Sequence, residues 1–162
     1  MPGEPEEPGE PDVAADRVEF ETMLLSRHSH LHTPRTRAGG AGGLDRSAYV
    51  LLTRIRMHGP MSIGQLTDAF GLDASTLNRQ TAAMLRAGVV ERIPDPDGGI
   101  ARKFRITEEG ERRLEADRSF NIRGLRRIME HWSPEDAAAF ADLLERFNRD
   151  IERLEGRPWP RA

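Results

Sequence analysis

The stretch Asp73 to Gly88, Asp-Ala-Ser-Thr-Leu-Asn-Arg-Gln-Thr-Ala-Ala-Met-Leu-Arg-Ala-Gly, constrains the chain most tightly, because it reads as one complete helix, opened by a capping Asp and closed by a Gly. At about 100° per residue, Leu77, Thr81, Met84 and Leu85 gather on one side, and Ser75, Thr76, Arg79 and Arg86 on the other. The first side is core. The second carries short hydroxyls and arginine where a solvated helix commonly has a Glu/Lys mixture, and such side chains reach phosphates and base edges in a major groove. A DNA-recognition helix is the expectation for this stretch.

Its neighbours fit that expectation. Leu44 to His58 repeats Leu44, Ala48, Leu51, Leu52 and Ile55 at helical spacing and stops at Gly59-Pro60. Ser62 is placed to cap a helix from Ile63 to Phe70, and Gly71-Leu72 makes the turn into the Asp73 helix, which is the layout of a helix-turn-helix. Val89 to Ile93 and Ala101 to Ile106 then read as two strands joined by the turn Pro94-Asp95-Pro96-Asp97-Gly98-Gly99, a hairpin wing with Phe104 and Ile106 facing inward. Its second strand carries Arg102, Lys103 and Arg105, and Arg102 and Lys103 are candidates for phosphate contact, although basic residues on an edge strand also protect against aggregation.

The flanks are different in kind. Residues 1–12 place Pro at every third position from Pro2 to Pro11 with acids between, and read as a disordered acidic tail. A helix is expected from Val13 to about Leu31, followed by a Gly-rich loop to Gly43 in which Arg35 and Arg37 are most simply solvated. After the hairpin, Thr107 caps a long amphipathic helix, and Ser133-Pro134-Glu135-Asp136 starts another that bears Phe140, Leu143, Leu144, Phe147, Ile151 and Leu154. These stripes need a covering surface, either the first helix of the same chain or a second subunit.

Composition excludes several classes. Without cysteine there is no disulfide, thiolate metal site or thiol switch. No apolar run approaches the ~20 residues of a membrane span, and the N-terminal residues lack the features of a signal peptide, so a cytoplasmic protein without membrane contact is expected. The net charge of -3 conceals an uneven distribution: residues 44–107 hold nine Arg/Lys against six acids. His28 and His32 have the i, i+4 spacing of some metal sites, with His30 between them, but no acid completes a ligand set, and no metal or cofactor is expected. Neither a nucleophilic triad nor a phosphate loop is present to suggest an enzyme. Lys103 is the only lysine, a usage that suggests a GC-rich bacterial genome.

In order and spacing, Gly59-Pro60-Met61-Ser62, Ile63 to Leu66, Ser75-Thr76-Leu77-Asn78-Arg79, Leu85 to Arg92, Asp95-Pro96-Asp97 and Ile106-Thr107-Glu108-Glu109-Gly110 resemble the MarR family of bacterial winged-helix regulators, over about residues 13–156. The resemblance implies a mainly α fold with a small β-hairpin wing: a winged helix-turn-helix over 44–107, dimerisation helices at 13–43 and 108–156, and a tail at 157–162. It also implies a homodimer on double-stranded DNA, at a pseudo-palindromic operator, released by a small-molecule effector. Ser75, Thr76 and Arg79 take the groove-facing positions, with Asn78 at their margin. Two positions depart from the family pattern. Gly98-Gly99-Ile100 stands where Asp-Arg-Arg is usual, so a minor-groove arginine cannot be carried over to the wing tip, and Gln80 replaces a buried aliphatic residue. Tyr49, Arg54, His58 and the His28–His32 cluster are polar candidates for effector contact near the junction of the two regions. The competing reading is a winged helix serving as a protein-interaction module, which the net negative charge and the altered wing would suit.

Overall fold

The computed structural model describes residues 10–28 and 43–161, with side chains from Val13 onward. Along them run α1 (Glu10–Arg27), α2 (Arg46–His58), α3 (Ile63–Phe70), α4 (Ala74–Arg86), β1 (Val90–Ile93), β2 (Lys103–Ile106), α5 (Glu108–Ile128) and α6 (Pro134–Glu155). From α2 onward every helix starts at a side chain that accepts a backbone N–H of its first turn: Asp45, Ser62, Asp73, Thr107 and Ser133. Ser62 and Gln65 form a reciprocal capping box, which explains how an eight-residue helix holds its start.

The core is that of the winged unit. Leu51, Leu52 and Ile55 of α2 meet Leu66 of α3, Leu77 and Met84 of α4, Val89, Val90 and Phe104 of the hairpin, and Leu114 of α5, all at 3% exposure or less. Thr81, a polar residue on this face, is tolerated because its hydroxyl donates to Leu77 O at 2.8 Å within α4. The strands pair antiparallel in the register Val90↔Ile106 to Ile93↔Lys103, and Met61 adds a bridge by exchanging backbone bonds of 3.1 and 2.7 Å with Phe104. Thus the segment before α3 is sewn to the wing. Helix α5 approaches the hairpin so closely at Gly110 that a Cβ there would stand 2.1 Å from Val89 O. At the other edge, Asp117 of α5 accepts the Leu44 N–H at 2.8 Å; burial pushes its carboxyl pKa up, against the lowering effect of that bond.

Several boundaries differ from those expected. Helix α1 begins at Glu10 rather than Val13, since Pro11 falls in the first turn, where no intrahelical N–H is lost, and it ends at Arg27 rather than near Leu31. The rest of the predicted acidic tail, His30, His32 and the loop to Ala41-Gly42 lie outside the described residues. Strand β2 begins at Lys103 rather than Ala101, which leaves Arg102 ahead of the ladder. Residues 157–161, expected as a tail, lie against α2 and α3. The stripes of the outer helices remain uncovered: Val18 and Phe20 on α1, Phe120 and Ile128 on α5, and Phe140, Leu143 and Phe147 on α6 are 44–54% exposed.

Candidate nucleic-acid interface

Burial of Leu77, Thr81 and Met84 fixes the rotation of α4 about its axis, and therefore what it presents outward. Ser75, Asn78 and Arg79 are exposed, Thr76 is half-buried, and Arg86 lies exposed in the last turn. The N-terminal turn is organised by Asp73. Its carboxylate accepts the Thr76 N–H at 2.8 Å, the Thr76 hydroxyl at 2.8 Å and the Ser75 hydroxyl in a short contact. The Ser75 hydroxyl, with the Thr76 backbone and hydroxyl, holds the Asp73 carboxyl well below the usual carboxylate range, so this group can only accept. Both hydroxyl hydrogens are therefore directed at Asp73, and the two oxygens keep lone pairs for an outside donor. Arg79, one turn on, makes no hydrogen bond or ion pair among the described residues and offers only donors. Gln80, the unusual residue next to it, is half-buried with its Oε1 sequestered and unpartnered among the described residues.

The wing separates its three cations. Lys103, expected at the phosphates, is turned inward: its side chain is 9% exposed and its ammonium sits 2.7 Å from Asp95 and 3.1 Å from Asp97. Those two carboxylates raise the Lys103 pKa, and Lys103 first among its partners lowers that of Asp95. Lys103 thus ties the turn to the strand and carries no free charge outward. Arg105 is engaged across the ladder by Glu91, at 2.8 and 2.9 Å. Arg102 alone of the three lacks an ion pair among the described residues; with Arg92 it borders an open groove of about 350 Å³ whose remaining wall is Ser62, Ile63, Gly64, Ala101 and Phe104. Arg92, whose guanidinium lies 5.3 Å from the Phe104 ring centre, was not among the expected residues. Period two puts it on the same face as buried Val90 and directly opposite Phe104 in the ladder, so alternation alone reads it as an inward position and gave no signal for it. What the sequence could not show is that α3 begins opposite it.

The residues considered for effector contact have separate surroundings. Tyr49 packs against the core, Arg54 is engaged by Trp159, His58 is exposed at the end of α2, and His28 ends the described part of the first segment. Among the described residues no group of His, Cys, Asp and Glu could hold a metal ion, and no helix is long and apolar enough to cross a membrane.

Comparison with known proteins agrees with this architecture. The profile of the MarR family matches residues 44–98, the span from the start of the α2 segment to the wing turn. An uncharacterized HTH-type transcriptional regulator of Bacillus subtilis (strain 168), YxaD, is 33% identical over 133 residues, covering 82% of this chain and 91% of that protein. Among solved structures, a MarR family protein from Bacillus stearothermophilus superposes with a TM-score of 0.70 at 22% identity, covering 90% of this chain and 99% of its own. RV1404 from Mycobacterium tuberculosis gives 0.70 at 19% identity, covering 96% and 100%.

Proposed function

The chain belongs to the MarR family of winged-helix transcriptional regulators, non-enzymatic proteins that bind DNA, and from that premise we propose that it acts as a homodimeric, ligand-responsive repressor that reads a pseudo-palindromic operator through α4. The observation that carries the reading is the contrast across α4: one side lies in the core at 3% exposure or less, and the opposite side presents Ser75, Asn78 and Arg79 to solvent. In a major groove Arg79 donates to guanine N7 and O6, while the Ser75 and Thr76 oxygens, their hydrogens directed at Asp73, accept from the amino groups of adenine or cytosine. Asn78 lies at the edge of this set, next to Arg79. Arg102 and Arg92, beside the first turn of α3, meet the backbone phosphates. Lys103 holds the wing in shape for that contact.

The uncovered apolar stripes of α1, α5 and α6 support the second subunit, since two copies related by a two-fold axis bury the same faces against each other and place two α4 helices on successive grooves. An effector that favours a different spacing of the two winged units releases the operator by shifting that equilibrium. The test of this reading is a binding titration at fixed salt with a duplex that the wild-type chain enriches from a random-sequence pool. Arg79→Ala is expected to weaken binding by between a few-fold and about a hundredfold, the loss of about 1–3 kcal/mol for one bidentate base contact. Equal binding by the variant, or failure of the wild type to enrich any sequence, overturns it; the latter is what a protein-interaction module would give.

A further inference from the structure

The residues after α6 make contacts that neither α4 nor the wing uses. Gly156, with φ at 67°, turns the chain off the helix end, and Arg157-Pro158-Trp159-Pro160-Arg161 comes back onto the winged unit. The Trp159 ring meets Phe70 of α3 edge-on, with centres 5.6 Å apart, and the Arg54 guanidinium of α2 lies 5.1 Å above it. Arg54 Nη1 also donates to Pro158 O at 3.1 Å. On the helix side, Glu152 of α6 accepts the Trp159 N–H at 3.0 Å and the Arg161 guanidinium at 2.8 and 2.6 Å. The Arg157 guanidinium lies over Gly71, where a Cβ would stand 2.6 Å from its Cζ. Prolines on both sides of Trp159 restrict the backbone, so docking the ring removes little conformational freedom.

We propose that this segment is a strap which transmits the position of α6 to the helix-turn-helix, with Trp159 a positioning residue for DNA recognition; the proposal rests on the DNA-binding reading above. Helix α6 has no buried residue of its own, so the strap is what grips α2 and α3 from its end, and α3 in turn packs on α4. With the strap docked, the winged unit is held at two places, at α5 and at the end of α6. Undocked, it turns about the α5 contacts alone, fewer molecules hold both reading helices at the operator spacing, and apparent affinity falls in proportion to that fraction.

The experiment uses the full chain and the duplex enriched by the wild type. Trp159→Ala is expected to bind it about tenfold more weakly, about 1.4 kcal/mol, with the same slope of log affinity against log salt, the same oligomeric state and a largely restored affinity in Trp159→Phe. In a Trp132→Phe background, where Trp159 is the sole tryptophan, its emission is expected to be blue-shifted and poorly quenched by acrylamide before any DNA is added. Full affinity in Trp159→Ala overturns the proposal, as does a loss that Trp159→Phe does not restore. If the wild type enriches no duplex, the DNA-binding reading fails instead, and quenching of Trp159 as in a free peptide overturns the docking separately.

Discussion

At the scale of single residues, charge alone does not say which side chains face DNA, and the wing shows why. Arg102 and Lys103 are adjacent and both basic, and both were expected at the phosphates, but the carboxylates of the wing turn reach only one of them. Lys103 turns in and finds two carboxylates, whereas Arg102 precedes the ladder and stays unpaired among the described residues. Their substitutions should therefore separate in two measurements. Arg102→Ala is expected to reduce the slope of log affinity against log salt by about one unit, the signature of one lost phosphate contact, with little change in unfolding temperature. Lys103→Met should leave the slope unchanged and lower the unfolding temperature, since Asp95 and Asp97 then face each other without a cation. A fall in slope for Lys103→Met would show that its ammonium reaches the DNA after all. Gly110 makes a similar point about packing: it belongs to the motif after the second strand, and the structure gives it a steric reason in the close approach of Val89 O.

At the scale of elements, what was legible in the sequence is what depends on neighbours in sequence. The caps Ser62, Asp73, Thr107 and Ser133 stand where their residue types and the following apolar periods put them, because a cap is a bond to the next turn, whereas Asp45, inside the helix expected from Leu44, caps α2 instead. The core side of α4 was readable for the same reason. The inward turn of Lys103, the Met61–Phe104 bridge, the Arg92 groove and the strap were not, because each joins residues distant in sequence, and a five-residue segment shows no periodicity. The strap has a pH signature. Bonds from Arg161 and from the Trp159 N–H, with Arg161 and Arg149 nearby in charge, lower the Glu152 pKa from 4.5 to about 2. A lowered carboxyl pKa means that the stabilisation is complete above about pH 4.5, the unfolded value, and is lost as pH falls through about 2. In the Trp132→Phe background, Trp159 emission should shift to the red across that interval. Glu152→Gln, which cannot pair with Arg161 as an ion, should show the looser emission already at neutral pH and lose the acid transition; an unaltered transition would place its cause elsewhere.

For the whole molecule, the distribution of burial decides what a single chain can be. The winged unit closes its own core over α2 to β2 with Leu114 of α5, but α6 runs for 22 residues without one buried side chain. Phe140, Leu143, Leu144, Phe147 and Ile151 are 39–53% exposed along it, and Trp132 packs edge-on to Phe140 at 5.5 Å. An amphipathic helix gains most of its stability from burying its apolar face, so this one calls for a covering surface larger than the strap provides. In the proposed homodimer a second copy supplies it with matching stripes, and two reading heads then multiply a half-site affinity that a chain of net charge -3 leaves weak. Introducing Glu at both Phe147 and Ile151 is thus expected to give monomers in sedimentation equilibrium. The same variant should lose affinity for the full operator by roughly a hundredfold, while its residual binding becomes indifferent to deletion of one half-site. A variant that stays dimeric, or a wild type that sediments as a monomer while binding the operator at full strength, would move the interface off α6 and leave its stripe without a covering surface.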